Sequence, residues 1–215
     1  MKYKVVLFDW DGTLMDSIAK IVNAVQVAAE LNQVVVPSVD KAKSIIGLSL
    51  ETAVEVLFPD STLAVQQQIG ADYSRTYNNS QVASPLFADA LDCLTQLKDA
   101  GAVLGVATGK RRRGLNKVLD SSGTRHFFSA SRCADETASK PDPQMLNEIL
   151  AELDVRASEC VYIGDTVHDL AMAQAINMDR IGVTHGVDDF DALNKHKPVL
   201  IADNLTGIVN YILQP

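Results

Sequence analysis

The sequence has few cysteines, and those it has predict no disulfide framework. Its 215 residues include only Cys93, Cys133 and Cys160, which are scattered and form no CxxC pair. An odd number of isolated thiols is typical of a protein from a reducing compartment. We also find no internal repeat and no low-complexity segment, so a globular fold is expected.

Excess positive charge and long apolar runs are missing as well. Lysine and arginine total 19 against 27 aspartate and glutamate, which gives a net charge of -8 and a pI of about 4.9. This acidity argues against a general nucleic-acid binder and against a large anionic partner surface. The N-terminal apolar run stops at Asp9, too early for a signal peptide, and no run reaches the roughly 18 residues of a membrane span. We therefore expect a cytoplasmic protein with no nucleic-acid or membrane partner.

The apolar pattern predicts an α/β fold with a helical insertion. Residues 5–8 form an apolar run typical of a buried strand, whereas residues 16–82 contain only helical spacings. After Pro85, helices alternate with strands predicted at 103–108, 127–130, 160–164, 180–184 and 199–201. Such alternation indicates a doubly wound parallel sheet covered on both faces. We expect an α/β core of residues 1–15 and 83–215, with an all-helical cap of residues 16–82.

Two carboxylates stand directly after the first predicted strand. Asp9 and Asp11 contribute nothing to an apolar core, and a buried pair of like charges is costly unless a cation or proton offsets it. Gly12 lets the backbone leave the strand sharply and approach a ligand. Because ligands of open α/β sheets bind outside the carboxyl ends of the strands, the pair predicts a metal-assisted site with a carboxylate nucleophile.

Three further polar segments follow predicted strands, and a parallel sheet brings all of them to one edge. They are Thr108-Gly109, Ser139-Lys140-Pro141 and the stretch from Gly164-Asp165 to Asp169. Phosphoryl transfer needs such a set: a carboxylate to attack, a second carboxyl group for proton transfer, a lysine, and oxygen ligands for Mg²⁺. Taken singly, each segment also has an ordinary interpretation as a turn or a helix N-cap.

Together, Asp9-Trp10-Asp11-Gly12-Thr13, Thr108, Lys140 and Gly164-Asp165…Asp169 resemble the four motifs of the haloacid dehalogenase superfamily. The helical insertion after the first motif resembles the cap of its phosphoglycolate phosphatase-like branch. The dehalogenase members lack an acid at the position of Asp11, so the resemblance favours hydrolysis of a phosphate ester.

The resemblance also implies a role for each motif residue. Asp9 would be the nucleophile and a metal ligand. Asp11 would be the acid/base, with its backbone carbonyl on Mg²⁺. Thr108 and the N–H of Gly109 would hold the phosphoryl group, and Lys140 would bridge the nucleophile and the phosphate. The remaining metal ligands would be Asp165 and Asp169.

Other residues near the motifs are open to two interpretations. Trp10 either packs under the cap or presents its backbone N–H to the phosphate. The Lys110–Arg113 cluster is either a solvated helix face, which we favour for the arginines, or an attractor for a phosphate anion. For His168 we favour a surface or packing role over contact with substrate. The loop around Gly47 is the predicted part of the cap that meets substrate.

The sequence as a whole predicts a Mg²⁺-dependent phosphatase of a small phosphomonoester metabolite, acting through an aspartyl-phosphate. Phosphoglycolate is the leading substrate by resemblance, and the chain is expected to be a monomer or a homodimer. Two alternatives stay open at this stage: a sugar phosphomutase of the same superfamily, and a regulatory protein that binds phosphorylated ligands without turnover.

Overall fold

A computed structural model describes residues 1–214 and has a six-stranded parallel sheet at its centre. The strands lie in the order β3-β2-β1-β4-β5-β6. Their bounds are β1 Val5–Phe8, β2 Val103–Thr108, β3 Phe128–Cys133, β4 Cys160–Gly164, β5 Asp179–Val183 and β6 Leu200–Ala202. Every neighbouring pair is parallel, so the predicted doubly wound sheet is confirmed. The strand order reverses between β1 and β4, which is where such sheets bind ligands.

Helices cover both faces of the sheet and bury a separate apolar layer on each. They are α5 Ala90–Asp99, α6 Arg112–Ser121, α7 Gln144–Leu153, α8 Val167–Ala175, α9 Phe190–Asn194 and α10 Leu205–Leu213. Side chains of β1 alternate between the layers: Val6 and Phe8 pack towards α5 and α10, and Val5 and Leu7 pack towards α7 and α8. A strand that is buried on both faces has a continuous hydrophobic sequence, which is why the sequence alone predicted β1.

Four helices lie between β1 and α5 and contain apolar clusters of their own. They are α1 Ile18–Leu31, α2 Val39–Lys43, α3 Leu50–Leu57 and α4 Leu63–Asn79, referred to below as the helical insert. Ser38, Ser49 and Thr62 each cap a helix by accepting a hydrogen bond from a backbone N–H of its first turn.

The two segments that join the helical insert to the sheet run side by side. The backbone N–H of Asp16 donates to the carbonyl of Pro85 at 2.8 Å, and that of Phe87 donates to the carbonyl of Leu14 at 3.0 Å. The outgoing and returning chains are therefore held together by backbone hydrogen bonds where they leave the sheet.

Some element boundaries differ from the prediction, and one helix was not predicted. Helix α7 begins at Gln144 and not directly after Pro141, because Asp142 precedes Pro143 and a residue before proline disfavours the helical conformation. The strand predicted at 127–130 extends to Cys133, since β3 is an edge strand and carries polar residues. Helix α9 was missed, as five residues give too little periodicity to detect.

Among residues 1–214, no helix combines the length and the apolar character that crossing a membrane requires.

Helix α5 offers a direct test of the packing. Leu94 is fully buried in the layer between α5 and the sheet, whereas Leu91 on the same helix is 46% exposed. We expect Leu94→Ala to lower the free energy of unfolding by about 2–5 kcal/mol, the usual cost of a core cavity. Leu91→Ala should change it by no more than about 0.5 kcal/mol. Urea unfolding measures both, and equal losses would contradict this packing.

Candidate active site

The predicted strand ends meet at the carboxyl edge of the sheet. Asp9 follows β1, Asp165 follows β4, and Asp169 lies in the first turn of α8. These three carboxylates are buried, and each offers an oxygen within 4.8 Å of the others. Lys140, on the loop between β3 and α7, extends its ammonium group between Asp9 and Asp169. Residues far apart in the chain thus form one cluster at the point where the strand order reverses, between β1 and β4.

Asp9 has the least satisfied carboxylate in the cluster. Its side chain is buried, yet neither oxygen accepts a hydrogen bond from any of the described residues. The Lys140 Nζ lies 2.8 Å from Oδ1 but is not aligned for a hydrogen bond. Burial raises the pKa of Asp9 to about 7, although Lys140 opposes the rise. Apart from this ion pair with Lys140 the Asp9 carboxylate has no partner among the described residues, and a buried charge so little satisfied is costly to maintain, so it can accept a further cation.

Asp169, in contrast, is fully engaged. Its Oδ1 lies 2.7 Å from Lys140 Nζ and 3.0 Å from the Tyr162 hydroxyl, and its Oδ2 accepts from the Thr166 N–H and hydroxyl. Thr166 and Asp169 form a reciprocal capping box at the start of α8. Burial opposes the charge of Lys140, but Asp169 and Asp9 outweigh it and hold the Lys140 pKa above its usual value. Asp169 therefore fixes both the lysine and the helix start.

Asp165 is held by two donors that the sequence interpretation did not assign. The Thr13 hydroxyl donates to Oδ1 at 2.8 Å and the Val187 N–H donates to Oδ2 at 2.9 Å. Burial, together with Asp169 and Asp9, raises the pKa of Asp165 well above its usual value. Thr13 belongs to the first motif and could have been singled out, whereas nothing local in the sequence marks Val187.

Two glycines leave room for Asp165. Gly12 has φ +83°, and a Cβ there would lie 2.2 Å from Asp165 Oδ2. A Cβ on Gly186, in the loop after β5, would lie 2.3 Å from Asp165 Cβ. The structure therefore supports the predicted need for glycine at position 12. The role of Gly186 was missed because it depends on a neighbour that is distant in sequence.

The donor set fits a divalent cation. When ionised, the three carboxylates and the single ammonium of Lys140 leave a net negative charge in a buried site. Carboxylate oxygens are the ligands that Mg²⁺ prefers, and Asp9 has two that lack a hydrogen-bond donor. The carboxylate of Asp11 lies outside this cluster. Its predicted contribution through the backbone carbonyl stays a prediction.

Asp11 is paired instead with Lys110. Lys110 Nζ lies 2.9 Å from Asp11 Oδ2, and the Ser17 hydroxyl donates to Oδ1. The same ammonium donates to the Tyr77 hydroxyl of α4 at 3.2 Å. Burial opposes the charge of Lys110, but Asp11 and the two tyrosines, Tyr73 and Tyr77, raise its pKa above the usual value.

Lys110 thus behaves differently from the arginines that follow it. Arg111 is exposed and pairs with Glu51 of the helical insert, and Arg112 is half-buried and pairs with Glu136. The interpretation as a helix face in solvent therefore fits the arginines better than Lys110, whose ammonium contacts Asp11 of the first motif.

The helical insert lies over the site. A Cβ on Gly109 would be 2.5 Å from the Gly47 carbonyl oxygen, and the Ser49 N–H donates to the Ser139 hydroxyl at 2.8 Å. The predicted loop around Gly47 is therefore next to the second and third motifs, beside the buried Thr108. Nε2 of His168 lies 3.3 Å from the Ser44 carbonyl, a packing contact between α8 and the insert.

The structure corrects one of the two interpretations of Trp10, namely that its side chain packs under the cap. Its side chain is fully buried in the core layer below the sheet edge, 6.2 Å from Phe128 between ring centroids. The indole N–H donates to the sulfur of Met15 at 3.3 Å. Side chains alternate along extended chain, so Trp10 continues the face of Phe8.

Three comparisons relate the chain to known proteins. A family model described as haloacid dehalogenase-like hydrolase matches residues 6–183. A probable phosphatase, IndB of Dickeya dadantii, is 32% identical over 95% of this chain and 91% of its own length. A phosphoglycolate phosphatase of Psychrobacter arcticus is 28% identical over 100% of this chain and 97% of its own. A solved haloacid dehalogenase-like hydrolase from Bacteroides fragilis is 28% identical, with a TM-score of 0.90 over 96% and 100% of the two chains.

Gly186 tests the steric part of the site. Its φ lies outside the left-handed region, so Gly186→Ala adds only a methyl group that must displace Asp165. We expect this variant to bind Mg²⁺ about tenfold or more weakly by calorimetry, the usual effect of disturbing a metal ligand's surroundings. Gly114→Ala in α6 is the matched control, since nothing lies within 4 Å of its added carbon. Unchanged affinity in Gly186→Ala would contradict the assignment.

Proposed function

This chain belongs to the haloacid dehalogenase-like hydrolase family, and we propose that it hydrolyses a small phosphomonoester through an aspartyl-phosphate on Asp9, with Mg²⁺ as its metal. Its family and its relatives identify it as a phosphatase. That leaves the non-catalytic binding protein as the weaker alternative. The observation that carries the proposal is the buried Asp9 carboxylate with no hydrogen-bond donor on either oxygen.

In the first step an Asp9 oxygen attacks phosphorus. The bond between phosphorus and the ester oxygen breaks, and the leaving oxygen takes a proton from Asp11. In the second step Asp11 removes a proton from water, whose oxygen attacks the same phosphorus. The bond to Asp9 then breaks and inorganic phosphate leaves. Asp9 ends as a free carboxylate and Asp11 regains its proton, so each turnover restores the site.

The surrounding residues would position and stabilise the phosphoryl group. Thr108 ends β2 beside Gly109, and its hydroxyl together with the Gly109 N–H would bind phosphoryl oxygens. Lys140 would offset the negative charge that builds up during phosphoryl transfer. Asp169 holds the ammonium group of Lys140 next to Asp9.

Mg²⁺ would be held by Asp9, the backbone carbonyl of Asp11, Asp165 and Asp169. When bound, it would neutralise the carboxylate cluster and polarise a phosphoryl oxygen. Asp165 is prepared for this role, since Thr13 and Val187 fix both of its oxygens. Without a cation, the phosphate dianion would meet a site that already carries excess negative charge.

The core and the helical insert would have different roles in the reaction. Residues 1–15 and 83–215 would form the hydrolase core, and residues 16–82 would act as a cap that excludes water and selects the substrate. Contacts of Gly47 and Ser49 with the second and third motifs support a cap that closes on the site. Phosphoglycolate is the proposed substrate because several relatives carry that activity in their names. Three buried free thiols support the expected cytoplasmic location.

Replacing the nucleophile tests the chemistry. Asp9→Asn preserves volume but removes the attacking oxygen anion, so we expect release of inorganic phosphate from phosphoglycolate to fall by about 10⁴-fold or more. Circular dichroism and urea unfolding serve as the folding control. In the wild-type enzyme, free phosphate should equal the ester consumed, which separates hydrolysis from a mutase. Turnover by Asp9→Asn within about tenfold of wild type would refute the assignment.

Metal removal gives an independent prediction. Dialysis against a chelator should abolish turnover, and added Mg²⁺ should restore it. Circular dichroism of the chelated protein should keep its native spectrum, because the sheet and its apolar layers do not depend on the ion. Full activity in chelator would exclude the metal requirement.

A further inference from the structure

Lysines cluster where the helical insert meets the sheet, directly beside Asp11. Lys20 of α1 and Lys110 place their ammonium nitrogens 5.0 Å and 4.9 Å from the centre of the Tyr77 ring on α4. Lys117 of α6 lies close by, with its Nζ 3.3 Å from the Asn78 side-chain oxygen. Three segments of the fold therefore bring positive charge to one place in an otherwise acidic chain.

This cluster has too few negative partners of its own. Within residues 1–214, only Lys110 of the three forms an ion pair, and its partner is Asp11. Burial lowers the pKa of Lys20, and repulsion from Lys117 and Lys110 lowers it further. Like charges held together in this way are stabilised by an anion. Because Lys110 contacts Asp11, an anionic group of a bound substrate is a candidate partner for these ammonium groups.

The contact between Lys110 and Asp11 also conflicts with the proposed chemistry. Both oxygens of Asp11 are occupied, one by Lys110 and the other by Ser17. A carboxyl group must reach the ester oxygen to act as its proton donor. Release of Asp11 by Lys110 would free one carboxylate oxygen for this step, and a second anion in the cleft would supply an alternative partner for the ammonium.

We propose that Lys20 and Lys110, placed against the Tyr77 ring, form a subsite for a second anionic group of the substrate. Lys110 exchanges Asp11 for that group when the substrate binds. This inference rests on the proposed function and narrows its substrate class to phosphomonoesters that carry a carboxylate or a second phosphate. An ester without a second anion leaves Lys110 on Asp11 and is turned over slowly.

The test compares esters that differ in this group alone. The probes are 2-phosphoglycolate, 2-hydroxyethyl phosphate and the bisphosphate of ethylene glycol. The second group is a carboxylate in the first, a neutral hydroxyl in the second (the neutral ester below) and a phosphate in the third. Wild type should favour the charged esters in kcat/KM by about tenfold or more, since a buried charged contact contributes strongly to discrimination. The better of the two charged esters identifies the group that the subsite takes.

Variants then assign the preference to these lysines. Lys20→Met should lower kcat/KM for the preferred charged ester by about tenfold, mainly through KM, and leave the neutral ester unchanged. Lys110→Met should lose the preference for the charged ester as well. Lys195→Met removes an exposed lysine at the end of α9 and is the matched control, with no change for any ester.

Several outcomes would overturn the subsite. Equal kcat/KM for charged and neutral esters in wild type would do so. So would an equal loss on all esters in Lys20→Met, which would indicate a structural role. Lys20 has no carboxylate partner within ion-pair distance among the described residues, so its variant should fold even if Lys110→Met does not. If wild type hydrolyses no ester, both this subsite and the proposed function are wrong. Hydrolysis without charge preference refutes the subsite alone.

Discussion

The cluster of buried carboxylates around Lys140 is the constraint on which the rest of the site depends. Asp9, Asp165 and Asp169 lie together out of water, and only one ammonium group stands among them. Such an arrangement is costly unless each charge has a defined partner. Asp169 and Asp165 have such partners, and Asp9 has none that donates a hydrogen bond. The fold thus concentrates its unsatisfied polarity on Asp9, the proposed nucleophile.

Many features of the core serve this arrangement. The apolar strand β1 carries Asp9 to the sheet edge, where its backbone N–H bonds to the carbonyl of Ile163 in β4 at 2.9 Å. The capping box of α8 orients Asp169, and the glycines at 12 and 186 make space for Asp165. Packing, helix capping and backbone geometry all position the same few oxygen atoms, which is how an α/β sheet supports precise chemistry at one edge.

The sequence predicted the sheet and the meeting of the polar strand ends at one edge, because both leave local signals. Apolar runs such as Val5–Phe8 are buried on both faces, and polar residues directly after them are conspicuous. Contacts that depend on long-range packing were not visible. A position under the cap was left open for Trp10, although its alternation with Phe8 directs the side chain into the core. The roles of Gly186, Val187 and Tyr77 arise from neighbours more than twenty residues away, which periodicity cannot report.

The paired segments that connect the helical insert to the sheet have an evolutionary consequence. Since Asp16 and Pro85 lie side by side, the insert begins and ends at nearly the same point. Lengthening, shortening or exchanging it would leave the sheet register intact, and loop closure at a fixed entry point changes little in free energy with length. New selectivities can therefore arise by replacement of one module, while the inherited reaction centre is kept.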